Sequence, residues 1–379
     1  MHVRIASLVL AGILLLGLAG CGEGSGQGKE EAGLPAESLK AGLLLYGSRE
    51  DPEEQGHVAG LEEACQQLGL DAESQLVVME NVPEEQGCTE AIDELISQGC
   101  QIIFANSTGH ESYLVEAALR HPEVTFCHAS GYQGASDSLN NTHNYYAKIQ
   151  EARYLAGIAA GLQTETNTLG FVASRSYAEM ISSYTAFYLG AKSVNPDVTM
   201  LVTYTNEWSD EEKETAAAQS LIDLGCDVLS YHTNTDTTAS VAETNGVYVV
   251  GCHGDVTDLA PHSALLSSQI DWETYYLYAL NCLLQGQEIA QDWCGSYADG
   301  ACSLTDLNQA AVASGTKDAI EKAAAGLADG TVSVFAGPLY GVDADGNELN
   351  LAEGSSYEEN KDRSAPSFAY LVEGITILS

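Results

Sequence analysis

Along most of the chain, short unbroken apolar runs alternate with longer stretches in which apolar residues return every three or four positions. The first run, "AGLLLYG" (41–47), precedes "HVAGLEEACQQLGL" (57–70), which has the spacing of an amphipathic helix. The order repeats through "QLVVMEN" (75–81), "TEAIDELISQGC" (89–100), "QIIFANS" (101–107), "SYLVEAALRHP" (112–122) and "VTFCHASG" (124–131). It resumes with "LGFVAS" (169–174), "YAEMISSYTAFYLGAKS" (177–193), "TMLVTYTN" (199–206), "ETAAAQSLIDLGC" (214–226), "DVLSYHT" (227–233), "VAETNG" (241–246) and "VYVVGCHG" (247–254). Strands that are apolar throughout, rather than at alternate positions, belong to parallel sheets covered on both faces. The pattern predicts an α/β protein. The intervening "NYYAKIQEARYLAGIAAGL" (144–162) reads as one helix joining two halves.

The halves match each other. At an offset of 126, "YGSREDPE" (46–53) lies over "VASRSYAE" (172–179), and "ELISQGCQIIF" (94–104) over "SLIDLGCDVLS" (220–230). At 125, Cys127-His128 meets Cys252-His253. Three matches in one order predict two related lobes. Ligands of open parallel sheets bind beyond the carboxyl ends of the strands. Two facing lobes would therefore line one cleft with Tyr46 to Arg49, Asn106 to Thr108, His128 to Ser130, Ser174 to Tyr177, Asn206 to Trp208, Thr233 to Asp236 and His253 to Asp255. That inventory suits a neutral polar heterocycle or sugar.

The amino terminus is different in kind. An apolar stretch of about 14 residues (Ile5 to Leu18) follows Arg4 and ends in "LAGC", well short of the roughly 20 that a spanning helix needs. It has the form of a secretion signal, and "LAGC" resembles a bacterial lipobox in which Cys21 carries lipid. The expected division is a signal peptide at 1–20, a lipidated cysteine and linker at 21–38, lobe 1 at 39–148 plus 268–300, and lobe 2 at 149–267 plus 301–379.

Charge and chemistry narrow the function. Fourteen Lys and Arg against 54 Asp and Glu give a net charge of −40, which repels nucleic acid. Nine cysteines remain after Cys21, with no CxxC pair, and most read as small buried hydrophobes. No GxSxG elbow, Walker loop or dinucleotide fingerprint occurs. In so acidic a chain no pair of carboxylates stands out. Cys127, His128, Cys252 and His253 could gather a metal, but alternation along a strand points each cysteine away from its histidine. The expectation is therefore no metal, no cofactor and no catalysis. Tyr145, Tyr146, Tyr154, Tyr275 and Tyr276 sit at helical spacing and read as packing. Tyr177, Trp208 and Trp272 follow predicted strands and could stack on a ligand.

"ENVPE" (80–84), "ISQGCQIIFANSTGHES" (96–112), "EARYLAGIAAG" (151–161), "LGAKSVNPD" (189–197), "LIDLGCDVLSYHTNT" (221–235), "GVYVVGCHGD" (246–255) and "FAGPLYGVDADG" (335–346) together resemble the basic membrane protein (Bmp, PnrA-like) family. The resemblance implies a two-lobed type I periplasmic-binding-protein fold. It also implies an extracytoplasmic lipoprotein, anchored to the cell membrane, that delivers a purine nucleoside or base to an ABC permease. By that resemblance Tyr46 or Arg49, beside Ser48 in the first loop, replaces a stacking aromatic, and Tyr177 opposes it. Asn106 and Ser107 would read the base edge, with Asn234 in the facing loop. In "GCHGD" His253 stands for an acid that holds ribose and Asp255 keeps the second. The family lysine is replaced by "SQIDW". Trp208 and Trp272 resemble the branch that takes free bases. A sensory receptor for the same ligands and a metal-binding receptor are the alternative functions.

The "LAGC" reading has a direct check. Cys21→Ser should abolish partitioning of the protein into the detergent phase, whereas unchanged recovery there would exclude a lipid on Cys21.

Overall fold

The computed structural model describes residues 33–131, 133 and 139–378. The signal-like run and Cys21 lie outside the described residues. Among those described, no helix is long and apolar enough to cross a membrane.

The alternating pattern becomes β1 (Ala41–Leu44), α1 (Pro52–Gln67), the one-turn α2 (Ala72–Gln75), β2 (Leu76–Met79), α3 (Gln86–Ser97), β3 (Ile102–Ala105), α4 (Glu111–Arg120), β4 (Thr125–Ala129) and β5 (Thr142–Ala147). Then follow α5 (Ile149–Gln163), β6 (Thr168–Ala173), α6 (Ala178–Val194), β7 (Thr199–Tyr204), α7 (Glu211–Asp223), β8 (Val228–His232), α8 (Thr237–Asn245), β9 (Tyr248–Cys252) and β10 (Ala264–Ile270). The chain closes with α9 (Glu273–Gln285), β11 (Asp292–Gly295), β12 (Cys302–Leu304), α10 (Thr316–Asp329), β13 (Leu339–Val342), β14 (Glu348–Leu351), β15 (Leu371–Val372) and β16 (Ile375–Ile377).

Two sheets form two lobes. The first has the order β11-β5-β4-β3-β1-β2 and is parallel throughout. The second runs β12-β10-β9-β8-β6-β7-β16, parallel except where β12 meets β10. The reason for the unbroken apolar strands is visible in β1. Leu43 points into a core with α1 and α9 (Val58, Leu61, Tyr276, Leu280), while its neighbour Leu44 enters another with α3 and α4 (Ile92, Leu95, Leu114, Ala117). In β6, Phe171 and Val172 divide in the same way between two cores. Each such burial contributes roughly 1.5–3 kcal/mol. A small antiparallel sheet, β14-β13-β15, completes the carboxyl-terminal region, and the apolar pattern does not predict it.

The stretch 144–162 is not one helix. Its first residues belong to β5, paired with β4 and β11, and α5 begins only at Ile149. All six residues of β5 are buried, so the strand has neither period-2 alternation nor an apolar composition to betray it. Tyr145 therefore lies on a strand, and it stacks on Tyr275 of α9, ring centroids 3.9 Å apart.

Three segments cross between lobes: Lys148 after β5, Asp271-Trp272 after β10, and 296–301 between β11 and β12. They are tied to one another. Lys148 N donates to Gly295 O (2.8 Å), Asp271 N to Ala301 O (2.9 Å), and Tyr297 N to Glu151 Oε2 (2.8 Å).

In the second lobe α5 and α6 touch backbone to backbone. A Cβ at Gly157 would overlap the Phe187 carbonyl, one at Gly190 the Tyr154 carbonyl, and one at Gly161 would press on Ala191. The stretches "EARYLAGIAAG" and "LGAKSVNPD" supply these glycines. Overpacking such a contact costs about 1–3 kcal/mol. Gly190→Ala should therefore lower the urea midpoint by that equivalent, with little change in the slope of the transition. A midpoint equal to that of the unaltered protein would mean the helices are free to separate.

Candidate functional site

Between the lobes lies a narrow cleft, built from strand ends and helix starts. Tyr46 follows β1, Asn106, Ser107 and Thr108 follow β3, and Ala129 and Ser130 close β4; Trp208 and Asn234 come from the loops after β7 and β8. Several of these loops turn through left-handed backbone immediately past a strand: φ is 56° at Ser130, 61° at Asn206 and 67° at His253. Such residues cost of order 1–3 kcal/mol each and gather at binding sites.

The centre of the cleft is acidic. Glu53 and Glu54 sit in the first turn of α1, and Glu179 in the first turn of α6. Glu54 accepts from Gly47 N (2.8 Å) and from the Asn106 amide. Glu179 accepts from Tyr146 Oη at 2.5 Å. Burial pushes the Glu53 carboxyl up to about 8, with Glu54 and Glu179 adding like-charge repulsion. Burial likewise takes Glu54 up to about 7, against the opposing hydrogen bonds from Gly47 and Asn106. Glu179 is also raised, first by burial. Glu53 keeps 21% of its side-chain exposure, yet loss of water remains the leading cause of its shift. Among the described residues lining this cleft there is no Lys, Arg or His.

A second, small chamber lies behind the first and shares Glu53, Tyr146 and Trp272 with it. Arg153, His232, Cys252, His253, Ser268 and Gln269 are among its walls. Arg153 is wholly buried; its Nη2 donates to Cys252 Sγ (2.7 Å). Trp272 is held between the chambers by stacking on His57, centroids 4.1 Å apart.

The expected site residues divide into two groups. Tyr46, Asn106, Ser107, Trp208, Asn234 and Trp272 line the first cleft, and Trp272 and His253 the second chamber. Four others lie elsewhere. Ser48 works in the turn before α1, its carbonyl accepting from Asp51 N. Arg49 points to Glu80, with Nε 2.6 Å from the carboxylate. Tyr177 is 48% exposed and leans on Trp208 at 6.2 Å. Asp255 is exposed and accepts from the Thr257 backbone and hydroxyl.

Two expected roles change within the cleft. The Asn106 amide is already committed, its oxygen to Tyr46 N (3.2 Å) and its nitrogen to Glu54, and the Ser107 hydroxyl donates to Glu84. The free amide is that of Asn234, whose Oδ1 is buried without a partner. The strand-alternation argument also fails at Cys252-His253. Strand β9 ends at Cys252, and the left-handed turn at His253 brings both side chains to the same chamber.

Sequence reasoning missed Glu53, Glu54, Tyr146, Glu179, Arg153 and His232. A signal for two of them existed. The offset of 126 that pairs Ser48-Arg49 with Ser174-Arg175 also pairs Glu53 with Glu179.

A family profile described as "ABC transporter substrate-binding protein PnrA-like" matches residues 40–326. A purine-binding protein of Brucella abortus is 29% identical over 307 residues, covering 80% of this chain and 85% of its own. A putative ABC transporter glucose-binding protein of Haloferax volcanii is 30% identical over 280 residues, covering 74% and 70%. Among solved structures, an ABC transporter solute-binding protein of Aeropyrum pernix K1 superposes with a TM-score of 0.67 at 15% identity, covering 78% of this chain and 93% of that one. Another from Conexibacter woesei gives 0.65 at 17%, covering 78% and 98%. Structural likeness at that identity shows the shared two-lobed fold. The sequence match goes further, running from the first strand of one lobe into the last helix of the chain: the protein belongs to the PnrA-like family of ABC transporter substrate-binding proteins.

Proposed function

We propose that this chain is a membrane-tethered receptor, lipidated at Cys21, that binds a free purine base between its lobes and hands it to an ABC permease. One observation carries the ligand assignment: the slot combines aromatic walls with an edge of acceptors and protonatable carboxyls. Tyr46, Trp208 and Trp272 offer flat apolar area, while Glu53, Glu54, Glu179 and the unpartnered Asn234 Oδ1 offer hydrogen-bonding groups. A purine base has two flat faces and a rim of N–H donors and ring-nitrogen acceptors. A protonated carboxyl gives and accepts at once, which suits such a rim. An anionic ligand would meet three carboxyls and no cation. The Brucella abortus relative named as purine-binding agrees with this reading.

The free base is favoured over its nucleoside because little here is ready for ribose. Asp255 is turned to Thr257, and His253 lies in the rear chamber. Each ribose hydroxyl buried without a partner would cost about 1–3 kcal/mol. Closure would draw contacts from both lobes and favour the ligand-bound shape.

In calorimetry with adenine, adenosine and D-glucose, adenine should bind at least about tenfold more tightly than adenosine, or about 1.4 kcal/mol. Tighter adenosine binding would refute the free-base assignment, and binding of glucose alone would refute the purine class. Trp208→Ala should weaken adenine by about 1–3 kcal/mol if the indole stacks on the base.

The carboxyls also set a pH dependence of stability. Glu53 and Glu54 hold protons in the folded chain up to about 8 and 7, whereas unfolding returns them to the ordinary value of 4.5. Between those limits the folded state binds more protons, so their contribution is complete below 4.5 and is lost as pH rises toward 8. The melting temperature of ligand-free protein should fall from pH 5 to pH 8. The Glu53→Gln, Glu54→Gln double variant should have a shallower fall, while an unchanged slope would show that general charge repulsion accounts for it.

A further inference from the structure

The rear chamber gathers a donor set that substrate capture in the front cleft does not use. One ligand atom each from His232, Cys252 and His253 lies within 4.8 Å of the others. The two imidazoles are poised alike. His232 Nδ1 is 3.3 Å from Ser183 Oγ, and the backbone of Thr233 supports the His253 ring. That leaves an Nε2 on each ring facing inward, and His253 Nε2 is buried without any hydrogen-bond partner. Holding the outer nitrogen while freeing the inner one is how proteins fix metal-binding imidazoles. A carboxyl group borders each imidazole: Glu53 Oε2 is 3.8 Å from His253 Nε2, and Glu179 Oε1 is 3.8 Å from His232 Nε2.

The geometry points to a transition-metal site in this chamber, with His232, Cys252 and His253 as its three protein ligands, suited to a borderline dication such as Zn²⁺ with a fourth position open to water. Thiolate and imidazole together select such ions over Mg²⁺ and Ca²⁺. A tetrahedral site with usual zinc bond lengths spaces its donors roughly 3.3–3.8 Å apart, so the cluster need contract by only about 1 Å. Burial keeps both histidines neutral, the form that binds metal, with His253 pushed down to about 3 and His232 also lowered. Burial holds the Cys252 thiol up at about 12. Binding therefore forms a metal–sulfur bond as the thiol proton leaves to solvent. The dication and thiolate leave one positive charge beside the Arg153 cation, which Glu53 and Glu179 offset when ionised. Arg153 Nη2, already donating to Cys252 Sγ, would remain as a hydrogen-bond donor to the metal-bound sulfur.

All three ligands come from the second lobe, at the ends of β8 and β9. An ion here would fix the ends of β8 and β9 to each other behind the purine slot. The site stands independently of the purine reading, because adenine binding is measured separately.

Chelator-stripped full-length protein should be titrated with Zn²⁺ by calorimetry in excess Ca²⁺, which occupies surface carboxylates. One Zn²⁺ per chain is expected, at least about 100-fold weaker in Cys252→Ala and in His253→Asn. Asparagine tolerates the left-handed backbone at 253, so the second variant keeps the fold if the first does not. Co²⁺ should give a thiolate-to-metal absorption band that Cys252→Ala abolishes. Absence of stoichiometric binding, or binding that both variants retain unchanged, would overturn the site.

Discussion

The constraint on which the cleft depends is the exclusion of water from carboxyl groups where two lobes meet. Burial is the leading cause of the upward shift at Glu53, Glu54 and Glu179 alike. Each sits at a helix start, where the helix dipole favours the ionised form. Loss of water opposes that preference and dominates. The surrounding groups answer accordingly: Gly47 N and Asn106 serve Glu54, and Tyr146 serves Glu179. Glu53, set between them, feels repulsion from both. The lobes' approach and the chemistry of the slot are thus one fact, because separating the lobes would rehydrate the carboxyls.

That constraint also explains what could be read beforehand. The central strands of both sheets were legible because each must satisfy a core on either face, as Leu43 and Leu44 do, which leaves an unmistakable apolar run; the edge strands β11, β12 and β16 carry no such run. Strand β5 obeys the same rule with Thr, His, Asn and Tyr, and two of its side chains find partners that only the folded chain supplies. Tyr146 meets Glu179, and His143 Nδ1 meets Ala290 O at 3.1 Å. Composition could not announce it.

At the site, position was more legible than role. Tyr46, Asn106, Trp208, Asn234 and Trp272 follow strands and reach the cleft. Which of them is free to meet a ligand depends on neighbours distant in sequence. Glu54 lies 52 residues from the Asn106 it occupies, and Glu80 lies 31 residues from Arg49. The acidic residues were hidden for a different reason. With 54 Asp and Glu in the chain, no single carboxylate is informative until burial distinguishes it. The motif glycines carry a plainer message: they are where α5 and α6 come closest, so the family resemblance rested partly on packing inside one lobe rather than on ligand chemistry.

The three chain crossings make the link between lobes a laced band. A single covalent thread would let two bodies slide, twist and tilt independently. Here Lys148 is bonded to Gly295 and Asp271 to Ala301, so shearing one thread past another breaks hydrogen bonds, whereas bending all three together spares them. The soft motion is reduced to one angle. A membrane partner touching both lobes would then need no knowledge of what the cleft contains. It could read occupancy as the opening of a single hinge, and receptors of one such build could change cargo without changing the signal they display.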